Sequence, residues 1–303
     1  MSSIRKKFRN VHGVFLLDKP VGISSNSALQ KARWLFEAKK AGHTGSLDPL
    51  ASGLLPVCFG EATKFSSHLL NSDKRYKVRI RLGVETDSAD ADGTEVASFE
   101  IPLLTFDLID QALNAFRGDI LQVPPMYSAL KHQGQRLYEL ARKGVEVARE
   151  PRPVTIHEAI VDGFGEDWVD LDVLCSKGTY IRSLAVDFAR MIGTGGHVEV
   201  LRRTGVSDRR VGDAMTVEAL EALSLEERMD RLMPMDALVA HLPAIHLDES
   251  AIRFARCGNP FDQSDAPESG WVRIYGSDQF WGLGEVLEPG RISPRRMANQ
   301  NAL

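Results

Sequence analysis

Asp48 is the carboxylate whose surroundings look least like scaffold. It sits in residues 41–53 (AGHTGSLDPLASG), where three glycines and Pro49 enclose one histidine, His43, and one aspartate. The segment has neither helical nor strand periodicity, so it reads as a sharply turning loop that displays a few polar groups. An ionised aspartate presented this way can serve as a nucleophile or stabilise developing charge, but an Asp before a Pro is also a common turn former. Local chemistry leaves both uses open, and a lone loop histidine is usually neither base nor ligand. Residues 87–93 (DSADADG) invite a calcium-loop reading. Placing Asp90, Asp92 and Gly93 at its third, fifth and sixth positions puts Ser88 first and Phe99 twelfth, where carboxylates are required, so the site is rejected. There is no G-x-x-x-x-G-K-[ST] loop, no G-x-G-x-x-G after the first strand and no H-E-x-x-H. Cys58, Cys175 and Cys257 are far apart and form no C-x-x-C, which argues against a disulfide framework or zinc site and for buried reduced thiols.

The elements that must position Asp48 are readable around it. Residues 11–17 (VHGVFLL) predict a first strand, stopped by Asp18, Lys19, Pro20 and Gly22. Ser24, Ser25 and Asn26 offer an N-cap for a helix whose apolar face is Ala28, Leu29, Ala32, Leu35 and Phe36, closed by Lys39 and Lys40. Residues 74–82 (KRYKVRIRL) alternate, with Tyr76, Val78, Ile80 and Leu82 on one face and Lys77, Arg79 and Arg81 on the other. Residues 123–127 (VPPMY) form a proline turn, and 135–143 read as a helix with Leu137, Tyr138, Leu140 and Ala141 inward. Residues 168–175 are a strand. Ser176 to Thr179 then turn into a helix with the stripe Ile181, Leu184, Ala185, Phe188 and Ile192, which puts Tyr180 and Arg182 at its first turn. Residues 197–201 read as a strand ending before Arg202 and Arg203. Beyond a compositional shift at 234–243, short strands (271–275, 280–286, 291–293) separated by Gly and Pro turns suggest a small β-barrel, with a domain boundary near Leu242.

At 303 residues, 43% hydrophobic and 26% charged, the chain is neither disordered nor fibrous. No apolar run approaches the roughly 18 residues of a membrane helix, and the basic, polar start lacks the apolar core of a signal peptide, so the protein is expected in the cytoplasm, away from membranes. The net charge of −4 hides segregation. Residues 31–82 hold ten Lys/Arg against four Asp/Glu, residues 117–152 seven against four, residues 85–110 eight acids and no base, and residues 213–249 nine acids against two bases. Such a chain can present one positive face to a polyanion, although charge runs are as readily ordinary solvated faces.

The stretch from Gly42 to Gly53 (GHTGSLDPLASG) resembles the signature of the TruB family of tRNA pseudouridine synthases. It is joined in order by 17–20 (LDKP), 74–76 (KRY), 125–131 (PMYSALK), 175–183 (CSKGTYIRS) and 201–204 (LRRT), so the resemblance runs from about residue 13 to 296 and weakens over 216–249. It implies an α/β (α+β) pseudouridine synthase fold: a catalytic domain over 11–242 with a central mixed, largely antiparallel sheet, a PUA-like RNA-binding β-barrel over 243–303, and a basic tail over 1–10. The implied activity is isomerisation of uridine 55 in the tRNA T-loop, with no metal or organic cofactor.

By that resemblance Asp48 is the nucleophile or charge stabiliser, acting on either the pyrimidine or the sugar carbon. Arg182 is the partner expected to lower its pKa and orient it. Tyr76 stacks on the flipped uracil and is a candidate for removing the C5 proton, while Tyr180 and Leu201 wall the pocket. His43 is the planar wedge that fills the space left by the extruded base, offsetting a few kcal/mol of lost stacking. Taken alone, Arg182 would pass for a surface arginine, Tyr76 for a core tyrosine, and Tyr180 and Leu201 for packing residues. Lys19, Lys64, Lys77, Arg79, Arg81, Lys131, Arg202 and Arg203 are the candidates for an RNA-backbone track, giving salt-sensitive binding. The expected partner is tRNA, through its T-loop and acceptor arm, with a monomeric enzyme and no obligatory protein partner. Two alternatives share the scaffold: a catalytically silent RNA-binding chaperone, and a guide-RNA-dependent relative working with partner proteins.

Overall fold

A computed structural model describes residues 8–299. Of the expected basic tail, residues 1–7 lie outside the described residues. Arg9, at its end, bridges to Ala38 and ion-pairs with Glu37 at 2.8 Å.

A large mixed sheet runs in the order Met215–Thr216, Gly13–Lys19, Ser52–Phe59, Gly196–Val206, Lys74–Leu82, Trp168–Cys175, Arg152–Phe164, Gly118–Gln122. Two short strands, Ala41–His43 and Arg209–Arg210, attach at its side. Most neighbours are antiparallel; Met215–Thr216 with Gly13–Lys19, and Ser52–Phe59 with Gly196–Val206, are parallel. The first strand carries side chains into two cores. Phe15 and Leu17 pack with the Ser25–Leu35 helix, whereas Val14 and Leu16 pack beneath Phe280 and Leu283 of the C-terminal region. Ser52–Phe59 does the same, with Leu55, Val57 and Phe59 on one side and Leu54 and Cys58 on the other. A strand covered on both faces becomes a continuous apolar run without alternation, and the sequence, read as a loop that ends at Gly53, predicts no strand over Ser52–Phe59.

The Lys74–Leu82 strand occupies the expected residues, and its even positions pack with the Ile181–Met191 and Phe106–Asn114 helices in a third core. Several boundaries differ from expectation. The first strand continues through Asp18 and Lys19, because the ladder to Ser52–Phe59 runs as far as Lys19 opposite Gly53. The Gly196–Val206 strand likewise runs past Arg202 and Arg203, which pair with both the Lys74–Leu82 and Ser52–Phe59 strands. The helix expected over 135–143 is the shorter Leu137–Ala141.

At the C-terminal end, strands in the order Ala244–Leu247, Gly270–Gly276, Gln279–Glu288, Arg291–Met297, Phe261–Asp262 curl into a half-barrel with its own core of Ile245, Val272, Ile274 and Ile292. It docks on residues 60–70: the Phe65 and Phe280 rings meet at 5.1 Å, Lys64 Nζ donates to Met297 O at 3.0 Å, and Asn299 N–H donates to Glu61 at 2.6 Å.

Candidate active site

The loop between Ala41–His43 and Ser52–Phe59 is held from three sides. Ser25, buried in the first turn of its helix, donates its hydroxyl to Leu47 O at 2.9 Å and accepts from Leu47 N–H at 2.7 Å. Lys19, fully buried, donates Nζ to Pro20 O at 2.8 Å and Ile23 O at 2.7 Å, with Pro49 O at 3.5 Å. Arg203, also buried, donates to Leu54 O at 2.7 Å, Gly45 O at 3.1 Å and Ser46 O at 3.4 Å. The loop reaches Arg203 because Ser52–Phe59 runs against the Arg203 backbone at Gly53. There φ is +105°, and a Cβ would lie 2.2 Å from Arg203 O. Only glycine fits that approach without strain.

Asp48 emerges from this frame opposite the start of the Ile181–Met191 helix. Its Oδ2 is 3.0 Å from Nε of Arg182. Arg182 is buried, and its other donors are committed: Nη1 to Ser88 O at 2.9 Å and towards Asp90 Oδ2 at 3.4 Å, Nη2 to Tyr127 O at 2.6 Å. One guanidinium therefore bridges two carboxylates and two loops. Asp90, buried and accepting a 2.5 Å hydrogen bond from the Ser88 hydroxyl, is the residue that sequence reasoning missed. In the sequence, residues 87–93 match only an incomplete calcium loop. The available signal was an acidic, Gly-containing turn with no assigned partner.

Arg182 lowers the Asp48 pKa as expected, by its charge and its hydrogen bond, but desolvation outweighs it and the net shift is upward. The carboxylate stays open to the cleft, with 42% of its side chain exposed, but the cleft walls strip enough water to push its pKa up. Arg182 and Lys19 oppose that rise and Asp90 reinforces it. Burial lowers the Lys19 pKa to about 8, with Asp48 acting against the shift.

Two cavities meet at Asp48 and Arg182. One, of about 340 Å³, brings together Asp48, Tyr76, Tyr180, Arg182 and Leu201, all expected around a flipped base, and is also lined by Arg203, which was expected on the RNA-backbone track. The other, of about 470 Å³, lies between the 87–94 turn and Tyr127, Tyr138 and Arg142. Tyr76 is 9% exposed, and burial raises its phenol pKa against a lowering influence from Arg203. His43 ends its short strand half-buried, outside the lining of both cavities, with its pKa lowered by burial and by Arg203.

The basic candidates are not gathered into one track. Lys77, Arg79 and Arg81 lie on the sheet face opposite Tyr76, each 2.7 Å from an aspartate: Asp162, Asp170 and Asp167. Arg79 also stacks over Trp168 at 4.2 Å. Arg202 ion-pairs with Asp18 at 2.7 Å, and Lys64 with Glu61 at 2.7 Å at the C-terminal contact. Lys131 is exposed on a small hairpin, while Lys19 and Arg203 point inward.

A carboxylate held by a guanidinium edge, beside a buried aromatic ring and a slot with both polar and apolar walls, can bind a planar ring and stabilise or attack an electron-poor carbon. Family models describing the TruB family pseudouridylate synthase N-terminal domain, the tRNA pseudouridylate synthase B C-terminal domain and the pseudouridine synthase II TruB C-terminal region match residues 33–181, 182–240 and 243–298. The chain is 50% identical to the tRNA pseudouridine synthase B of Aromatoleum aromaticum, covering 97% of this chain and 95% of that one. It is 48% identical to the Pseudomonas aeruginosa protein of the same name, covering 98% and 99%. Among solved structures it resembles a Cbf5-Nop10-Gar1 complex (TM-score 0.68, 25% identity, 95% of this chain and 82% of that one). It also resembles an H/ACA RNP bound to a substrate RNA containing 2'-deoxyuridine (TM-score 0.70, 22% identity, 98% and 88%). With near-complete coverage at about half identity, the chain belongs to the TruB family of pseudouridine synthases.

Proposed function

We propose that this chain isomerises uridine 55 in the T-loop of tRNA to pseudouridine, as a cytoplasmic enzyme acting without a protein partner. The observation that carries the reading is the convergence of Asp48, Arg182, Tyr76, Tyr180 and Leu201 on one cavity of about 340 Å³. The target uridine is flipped into that cavity at a cost of a few kcal/mol in stacking, offset by the Tyr76 ring and by His43 entering the space left in the RNA. Ionised Asp48, oriented by Arg182, acts on the base or on C1′ as the N1–C1′ bond breaks. The uracil turns, C5 bonds to C1′, and the C5 proton leaves while N1 gains one, so the reaction is mass-neutral. Tyr76 is the candidate for taking the C5 proton. Its raised pKa makes free phenolate scarce, so it would work through its oxygen within a hydrogen-bonded set and not as a standing base. The C-terminal half-barrel meets the acceptor end of the tRNA.

The test is tritium release from a tRNA transcript labelled at uridine C5, using purified protein alone. Release approaching one equivalent per tRNA, lost when the T-loop uridine is replaced, is expected. No release despite tight, salt-sensitive binding would overturn the reading in favour of a silent RNA binder. Release only on adding a guide RNA and partner proteins, prompted by the H/ACA likeness in fold, would favour a guide-dependent enzyme.

A further inference from the structure

Gln122 ends the Gly118–Gln122 strand, and its backbone pairs with Arg152, so residues 123–151 leave and rejoin the sheet at this register pair. That excursion carries Tyr127, Ser128, Ala129, Tyr138 and Arg142 to the cavities around Asp48. Gln122 is 3% exposed, and its side chain turns to the Tyr180 backbone. Its Nε2 donates to Tyr180 O at 3.0 Å, and its Oε1 accepts from Tyr180 N–H at 2.7 Å. Both ends of one amide are thus spent on both main-chain groups of one residue, a side chain forming what is in effect one more rung of the sheet. Tyr180 is the N-cap of the Ile181–Met191 helix and is capped by no side chain of its own. Its N–H has no helical acceptor, and leaving it buried and unpaired is costly. Ser183 Oγ donates to Val123 O at 2.9 Å and Arg182 to Tyr127 O at 2.6 Å, so the start of the catalytic helix is laced to the root of the excursion with Gln122 as the sheet-anchored member.

We infer that Gln122 is a positioning residue for the reaction proposed above. Its amide fixes the Tyr180 backbone, and through it the Tyr180 ring and the Arg182 guanidinium, in register with the base of the 123–151 segment. It touches no reacting atom and lines neither cavity. Its loss therefore falls on the rate of the bound complex, where small misplacements are expensive, and not on affinity.

Gln122→Met keeps the length and removes both hydrogen bonds. Its single-turnover rate at saturating tRNA should fall at least tenfold with the dissociation constant changed less than threefold. A wild-type rate, or a loss confined to affinity, overturns the inference. Gln122→Glu gives a second readout. As a carboxylate it still accepts from Tyr180 N–H but opposes Tyr180 O, whereas the protonated acid can donate to Tyr180 O as the amide does. The variant-to-wild-type rate ratio should therefore rise as pH falls, and a flat ratio counts against the clamp even where Gln122→Met fails to fold. Hydrogen exchange in a peptide spanning 176–184 should quicken about tenfold in Gln122→Met, which leaves Tyr180 N–H without its acceptor. That readout stands if the wild type proves inactive on tRNA, which would overturn the functional reading alone, while unchanged exchange would overturn the Gln122 inference alone.

Discussion

Arg182 Nε stands 3.0 Å from Asp48 Oδ2, while the same guanidinium reaches Asp90, Ser88 O and Tyr127 O. A single ammonium cannot span four acceptors in these directions, so Arg182→Lys is not conservative here. The variant should fold, bind tRNA with little change, and lose about 100-fold in single-turnover rate, the scale expected when a preorganised charge contact is displaced. A loss below about fivefold would show that Arg182 does no more than neutralise burial.

Asp48→Asn keeps the side-chain shape and removes the charge. Tritium release should drop below about one per cent of wild type with tRNA binding nearly intact, since the loss falls on the chemical step. Residual turnover above that level would remove Asp48 as the group that attacks or stabilises.

The pH profile tests the electrostatics. Asp48 must be ionised to act and its pKa is raised, so the acid limb of the single-turnover rate should have its midpoint above the ordinary aspartate value of 3.8. Asp90 contributes to that rise as a like charge and also shares Arg182. Removing its charge in Asp90→Asn lets Asp48 ionise more readily and leaves Arg182 more fully to it, and both effects move the acid limb to lower pH. Rates measured across pH 4 to 8 check the sign. An unmoved or raised midpoint would separate Asp90 from the titration of Asp48.

Tyr76 was legible as a face-mate of Val78 and Ile80, and the strand that carries it occupies the expected residues because one of its faces is packed and the other is charged. The loop with Asp48 was legible from its glycines. What holds that loop was not, because Lys19 and Arg203 look like cationic surface residues, and only the tertiary structure shows their donors turned inward onto carbonyls. The Arg152–Phe164 strand was missed for a different reason. Register shifts between Ile156 and Glu158 and between Val161 and Gly163 change its phase, so the inward residues Val154 and Ile156 are followed by Ala159 and Val161 and no single period-2 pattern spans the strand. Tyr76→Phe separates the two uses of this tyrosine: base binding should persist through the ring, and the single-turnover rate should fall at least tenfold if the phenol handles the C5 proton. A near-normal rate would leave Tyr76 with stacking alone.

Gly53 offers a test of the frame with no chemistry in it. Its φ of +105° and its contact with the Arg203 backbone leave no room for a side chain, since a Cβ would meet Arg203 O at 2.2 Å and Arg203 N at 2.8 Å. Gly53→Ala must either part the Ser52–Phe59 and Gly196–Val206 strands or twist the backbone at their junction. Either response should cost at least about 2 kcal/mol in urea unfolding. Because Arg203 holds Gly45 O and Ser46 O from that junction, the displacement travels to the loop that carries Asp48. The folded fraction of the variant should therefore react more slowly even at temperatures where it is fully native. A variant as stable and as fast as wild type would mean that the parallel pairing at Gly53 is not what sets the loop.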